Sequence, residues 1–363
     1  MLTFQKEKTK VFKIHSREGC TVYQRKQKMN KVDISSVSKS AIEARTLELS
    51  KLILHTPAVP LHSPFVSNRI QGCRVHLKLE CCQYTGTFKA RGALSVACQI
   101  PEEKRSFGVT AASAGNHAIA TAWAAQQLGL SAKVVMQSSA NPFRIARAQA
   151  HDAEVILKPA GAATFAEAER LVKDEGRTFI HPFEGVDTTL GTAGVGLEFL
   201  QDVPELEVLV VAVGGGGLMS GVAAATKLIN PNCKVYGVEP QGAASMAKSL
   251  SNGEPITLEN TSTIADSLAP PMALPFGHAL CEAYVDEMVT VTDDQICAGM
   301  TVFQEEAKLA VEPAAGATMA AVLWPLRQKI KNKNVGLIIC GANIDAVTYG
   351  QLLAKGRETI KTL

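Results

Sequence analysis

The chain has 363 residues, 46% hydrophobic and 20% charged, with a net charge of +3. That length suits about two domains with a sizeable core, and the composition is that of a soluble globular protein. So small a charge, without a basic patch interleaved with aromatics, argues against nucleic acid, and no apolar run reaches the ~18 residues of a membrane helix.

The first segment, residues 1–32, carries nine Lys/Arg against Glu7 and Glu18. No apolar core follows these charges, so it is not a secretory signal. It reads as a disordered basic extension, with an organelle import signal as the alternative. The nine cysteines, at 20, 73, 81, 82, 98, 233, 281, 297 and 340, are scattered, odd in number and lack any CxxC spacing. Reduced thiols in a cytoplasmic protein are the expectation, with no metal site.

Folded structure is expected from about Asp33, with a helix over Val37–Leu54 stopped by Thr56-Pro57. Val75, Leu77 and Leu79 alternate as in a half-buried strand ending at Glu80. The stretch Tyr84-Thr85-Gly86-Thr87-Phe88-Lys89-Ala90-Arg91-Gly92-Ala93 follows, with a helix from Arg91 to Ile100. Lys89 thus falls where a strand end meets a helix start. Shielding there lowers a lysine's pKa and makes it a better amine nucleophile. The segment alone fits a surface lysine beside a core phenylalanine equally well.

Alternating units come next. Strands are expected at Phe107–Ala111, Ala132–Met136, Glu154–Lys158 and Thr178–Ile180, with helices at Asn116–Leu128, Asn141–Ala153 and Thr164–Glu175. A second set has strands at Val208–Val213, Lys234–Val238 and Val335–Ile339, and helices at Leu218–Leu228, Asp294–Leu309 and Ala314–Ile330. The alternation predicts an α/β fold of parallel sheets covered on both faces.

Four stretches in these units carry candidate chemistry. Ser113-Ala114-Gly115-Asn116-His117 ends a strand and opens a helix, which offers a hydroxyl, an amide and free N–H groups to a carboxylate, or simply a helix cap. Gly214 to Gly217, before Leu218, ends an apolar strand in a turn whose N–H groups suit a phosphate. With Glu239 at the end of the next strand, this turn also admits a nicotinamide-dinucleotide reading, but the GxGxxG spacing fails because Gly221 comes one residue late. Glu312 opens Glu312-Pro313-Ala314-Ala315-Gly316, as a hydrogen-bonding group near a site or an acid at a helix start. Cys340 lies in Ile339-Cys340-Gly341-Ala342-Asn343, at a strand end where a free cysteine commonly packs as a small hydrophobe.

In this order the motifs resemble the pyridoxal-phosphate enzymes of fold type II (tryptophan synthase β-like), specifically the serine/threonine dehydratase group that includes serine racemase. The resemblance runs from about Ile42 to Lys355. It implies a large domain formed by residues 33–97 and 184–363, a small inserted domain at 98–183, and an active site in the cleft between them. It implies pyridoxal 5′-phosphate held covalently by Lys89 beside Phe88, with its phosphate on Gly214, Gly215, Gly216, Gly217 and Leu218. Asn116 would meet the phenolic oxygen, Cys340 the pyridine nitrogen, and Glu312 would stand near the ring. Ser113, Ala114, Gly115, Asn116 and His117 would receive the substrate carboxylate. A neutral Cys340 leaves the ring nitrogen unprotonated, which favours elimination over a long-lived carbanion.

Departures from the family pattern narrow the reading. Ala114 stands where racemases of the family carry a proton-donating serine, which argues for dehydration. Glu239 matches one carboxylate of a divalent-cation site, but the second falls at Ser245. Leu190-Gly191-Thr192-Ala193-Gly194 replaces the usual Gly-Gln-Gly-Thr form, as a hinge or a flexible helix start. No residues after Leu363 remain for a regulatory domain. The expected protein is a homo-oligomeric (dimeric or tetrameric) dehydratase that turns L-threonine, L-serine or a related β-hydroxy amino acid into a 2-oxo acid and ammonia. Serine racemase-like, 3-hydroxyaspartate and phenylserine chemistry are the alternatives within the class. A nicotinamide-dependent oxidoreductase and an inactive binding protein are those outside it.

Overall fold

In the computed structural model, residues 32–113, 115–159 and 161–363 are described. The basic extension expected over residues 1–32, Val32 apart, and the substrate-loop Ala114 lie outside them. Among the described residues the strands are β1 (Ala58–Pro60), β2 (Arg74–Lys78), β3 (Val109–Ala112), β4 (Ala132–Gln137), β5 (Glu154–Lys158), β6 (Thr178–Phe179), β7 (Val208–Ala212), β8 (Lys234–Pro240), β9 (Glu287–Val291) and β10 (Asn334–Ile338). They form a six-stranded sheet in the order β1-β2-β10-β7-β8-β9 and a four-stranded sheet in the order β5-β4-β3-β6. Every pairing is parallel except that of β1 with β2. The α/β architecture is the one expected.

Central strands explain themselves. β7 and β10 are buried at every position, as continuous apolar runs must be when helices cover both faces. In open parallel sheets, ligands gather outside the carboxyl ends of strands. The segments singled out above leave four such ends: Lys89 follows β2, Ser113 follows β3, Gly214 follows β7 and Cys340 follows β10. β2 and β10 are neighbours in register, with Lys78 opposite Ile338, and Thr87 then bridges to Gly341.

The helix Lys89–Cys98 packs on the helix Val186–Asp202. Contact is close because Gly191 has no side chain: a Cβ there would come within 2.5 Å of the Arg91 carbonyl oxygen. Leu190–Gly194 is therefore the packed interior of a helix, neither a hinge nor a flexible start. Beneath it lies a buried ionic network. Arg91 is fully buried, donating Nε to Glu80 Oε2 at 2.8 Å and Nη1 to Glu198 Oε1 at 2.7 Å. Lys78, also fully buried, meets Glu198 at 3.0 Å.

Boundaries differ where local geometry intervenes. The helix expected through Leu309 is α-helical over Asp293–Val302, then widens into a π-helical turn at Phe303–Ala307. The one expected to reach Ile330 ends at Leu323. The helix expected over Val37–Leu54 spans Lys39–Leu49.

Candidate active site

Lys89 opens its helix with Phe88 at the preceding cap position, and its Nζ lies 5.0 Å from the centre of the Phe88 ring. The ammonium donates to the Pro182 carbonyl at 2.9 Å. Burial pushes its pKa down from 10.5 to about 8, although the Glu312 carboxylate and Cys340 favour the charged form. Lys89 thus has an accessible neutral form near physiological pH, the condition for amine nucleophilicity.

Residues 180–184, which follow β6, form a strap across this lysine. His117 is buried and donates from Nε2 to the Ile180 carbonyl at 2.8 Å. His181 Nδ1 accepts from the amides of Phe183 and Glu184 at 3.2 and 2.9 Å. Burial, reinforced by the Lys89 charge, pushes His117 down to about 3 and His181 to about 4. Both imidazoles are therefore neutral, each carrying its proton on Nε2.

The glycine turn faces the strap. Gly216 has φ +96°, and a Cβ on Gly215 would fall 2.4 Å from the Phe183 ring. A Cβ on Gly217 would fall 2.6 Å from Phe183 Cα. Among the described residues no acceptor receives the amides of Gly214, Gly215, Gly216, Gly217 or Leu218. Unpaired amides at the start of the helix Gly217–Ile229 fit a phosphate.

Across the cleft, Ser113 and Asn116 end β3 and begin the helix Asn116–Gln127. Ser113 Oγ accepts from the Gly115 amide at 3.1 Å. Asn116 Nδ2 donates to both oxygens of Glu312, at 2.9 and 2.8 Å, and its Oδ1 accepts from Asn343 Nδ2 at 2.8 Å. Glu312 is buried, takes a further bond from Ser267 at 3.3 Å, and has its pKa raised by that burial. Of the two readings of Glu312, its carboxylate serves as a hydrogen-bonding group for Asn116. Cys340 is buried, and its thiol is held well above its ordinary pKa by that burial. Its carbonyl accepts from Phe88 N and from Thr87 Oγ1, each at 3.0 Å.

Lys89, Phe88, His117 and Gly217 thus line one small cavity with Pro182, and Glu312 and Cys340 lie within electrostatic reach of Lys89. Glu239 is not among them. Its two oxygens accept from the amides of Met246 and Ala247, each at 2.8 Å, at the start of the helix Ser245–Asn252. Glu239 thus caps that helix. The sequence reading missed the strap, with Pro182 as acceptor and Phe183 as wall, and it missed Ser267, Asn343 and Arg144. No spacing marks these residues: Asn343 and Asn116 lie 227 positions apart. No helix among the described residues is long and apolar enough to cross a membrane.

A profile of pyridoxal-phosphate dependent enzymes matches residues 49–341. A phenylserine dehydratase from Ralstonia pickettii is 43% identical over 287 residues, 79% of this chain and 88% of that protein. An L-threonine ammonia-lyase from Thermotoga maritima is 38% identical over 307 residues, 84% of this chain and 76% of that protein. Among solved structures, maize serine racemase superposes with a TM-score of 0.82 at 31% identity, covering 89% of this chain and 98% of that one.

Proposed function

This chain belongs to the pyridoxal-phosphate dependent enzyme family, and from that premise we propose that it deaminates a neutral β-hydroxy amino acid by eliminating water and then hydrolysing the resulting enamine. L-threonine, L-serine and phenylserine are the candidate substrates. The observation that carries this reading is the enclosure of the Lys89 amine, at about 8, opposite a glycine turn with unpaired amides. An activated amine and a phosphate nest in one cleft suit a phosphorylated aldehyde cofactor and little else.

Lys89 would hold pyridoxal phosphate, with Gly214 to Leu218 on its phosphate, Asn116 on its phenolic oxygen and Cys340 toward its ring nitrogen. When bound, the cofactor supplies the electron sink that lets the α-proton and the β-hydroxyl leave. The rest is the work of this chain. Ser113, Gly115, Asn116 and His117 receive the substrate carboxylate and fix the α-carbon before Lys89. Once the substrate amine has displaced it from the cofactor, the Lys89 amine would take the α-proton, and the Pro182 carbonyl would stabilise the resulting ammonium. Glu312 and Asn343 hold Asn116 in one orientation. Cys340, kept as a neutral thiol, offers no anion to the ring nitrogen, which favours prompt loss of hydroxide. The enamine that forms is hydrolysed to a 2-oxo acid and ammonia.

Residues 98–183 serve as the smaller lobe of a homo-oligomeric, cytoplasmic enzyme, and sedimentation will report the subunit number. The test of function is ammonia and 2-oxo acid release from L-threonine, L-serine and phenylserine by protein supplied with pyridoxal phosphate. Borohydride should fix the cofactor on Lys89. Release from none of the three, or D-serine as the main product from L-serine, refutes the reading.

A further inference from the structure

We propose that Arg144 is part of the substrate-carboxylate site, as the cation packed against Gly115 in the turn that carries Ser113, Asn116 and His117. This rests on the reading of that turn given above. Arg144 lies in the helix Pro142–Gln149, capped by Asn141, and is only 8% exposed. Its stem and guanidinium cover Gly115: a Cβ there would stand 2.6 Å from Arg144 Cδ and 2.9 Å from Nη1. Gly115 is therefore obligatory, because the arginine occupies the space of its side chain.

The guanidinium is held from the opposite wall of the cleft. Nε donates to the Asn343 carbonyl at 3.1 Å, Nη2 to Asp266 Oδ1 at 3.3 Å, and Nη1 to Asp266 Oδ2. A guanidinium has five N–H bonds, so two remain without an acceptor. One of them belongs to Nη1, the nitrogen against Gly115. A buried donor left unpaired is costly, and a carboxylate entering beside Gly115 would satisfy it.

Charge makes the same demand. The turn runs directly into Asn116, whose amide already binds the buried Glu312 carboxylate. A second carboxylate arriving here would be repelled by the first. Lys89 and Arg144 are cations whose charges reach Glu312. Lys89 is committed to the chemistry, which leaves Arg144 as the fixed counter-charge. Asp266 holds it in place and offsets part of its charge, which suits a single carboxylate on the substrate.

The test compares L-2-aminobutyrate, which has no β-hydroxyl to lose, with its carboxamide, by calorimetric titration of the holoenzyme. The wild type should prefer the acid. Arg144→Gln should lose about ten- to a hundredfold of acid affinity, the range for a bond to a charged group, and little amide affinity. Arg144→Lys, with the charge but not the fork, should fall between and serves if Arg144→Gln does not fold. In turnover, KM should rise more than kcat falls, with cofactor absorbance unchanged. A variant that keeps the wild-type preference for acid over amide overturns the role of Arg144 alone. A wild type that binds acid and amide equally overturns the reading of the turn itself, and this inference with it.

Discussion

Replacing Lys89 by Met should abolish turnover and yet make the cofactor-stripped protein more stable at neutral pH. Burial holds the ammonium at about 8 in the folded state, below its ordinary 10.5. Folding therefore costs most where both states are protonated, below about 8, and the cost vanishes as pH climbs past 10.5. At ~1.4 kcal/mol per unit of pKa, that cost reaches about 3 kcal/mol at pH 7 and only ~1.4 kcal/mol at pH 9.5. Lys89 is a half-buried residue, so some screening by water makes these upper values. Methionine removes the charge, but it also strips the Pro182 carbonyl of the donor at 2.9 Å, which takes back ~1 kcal/mol. The net gain is about 2 kcal/mol at pH 7, or ~3 °C in Tm at this chain length, shrinking toward zero by pH 9.5. Scanning calorimetry of both stripped proteins at the two pH values is the assay. A gain that does not change with pH, or no gain at all, shows that the amine is not held against its own solvation, and the account of its nucleophilicity fails.

Three further changes probe the rest of the cleft. Arg91→Met should destabilise the fold by about 3–5 kcal/mol in urea unfolding, because the buried Glu80 and Glu198 both lose the guanidinium and Glu198 keeps only Lys78; adding Glu198→Gln should recover part of it, and an additive double variant would deny the coupling. Gly216→Asp should abolish cofactor retention, since φ +96° strains any side chain and the carboxylate opposes a phosphate; undiminished cofactor absorbance assigns the turn another role. Cys340→Asp should raise α-proton exchange with deuterated solvent relative to oxo-acid release, by placing an anion that favours a protonated ring nitrogen; an unchanged partition means Cys340 does not face that nitrogen.

What the sequence revealed was what chemistry imprints locally. Gly214–Gly217 had to be glycine because the Ser267 carbonyl crowds the Cβ place of Gly214, Phe183 those of Gly215 and Gly217, and Gly216 has φ +96°, so the run was visible. Lys89 stood at a strand-to-helix junction, and β5 was found with the boundaries expected for it. Other elements left weaker traces. The helix Val186–Asp202 is rich in glycine and threonine, poor helix formers on their own, and it is held by packing on the helix of Lys89. Glu239 looked like a ligand-binding acid because it ends a strand; that it caps a neighbouring helix depends on where residues 245–252 fold. Arg144 was hidden for the same reason, since its partner Asp266 is 122 positions away.

The strap over Lys89 also decides what the smaller sheet can do at its border. β6 is an outer strand of two residues, Thr178–Phe179, and an outer strand normally offers a ladder of free peptide groups to any passing chain. Here the ladder stops at once. The next carbonyl, of Ile180, is taken by His117, Pro182 has no N–H to offer, and its carbonyl is taken by Lys89. A strand from another molecule would find nothing to extend. Gathering backbone acceptors around the amine therefore also protects the β6 border of the sheet from edge-to-edge association. Cofactor-stripped preparations, in which Lys89 retains this carbonyl, should resist such association as well as the loaded ones do.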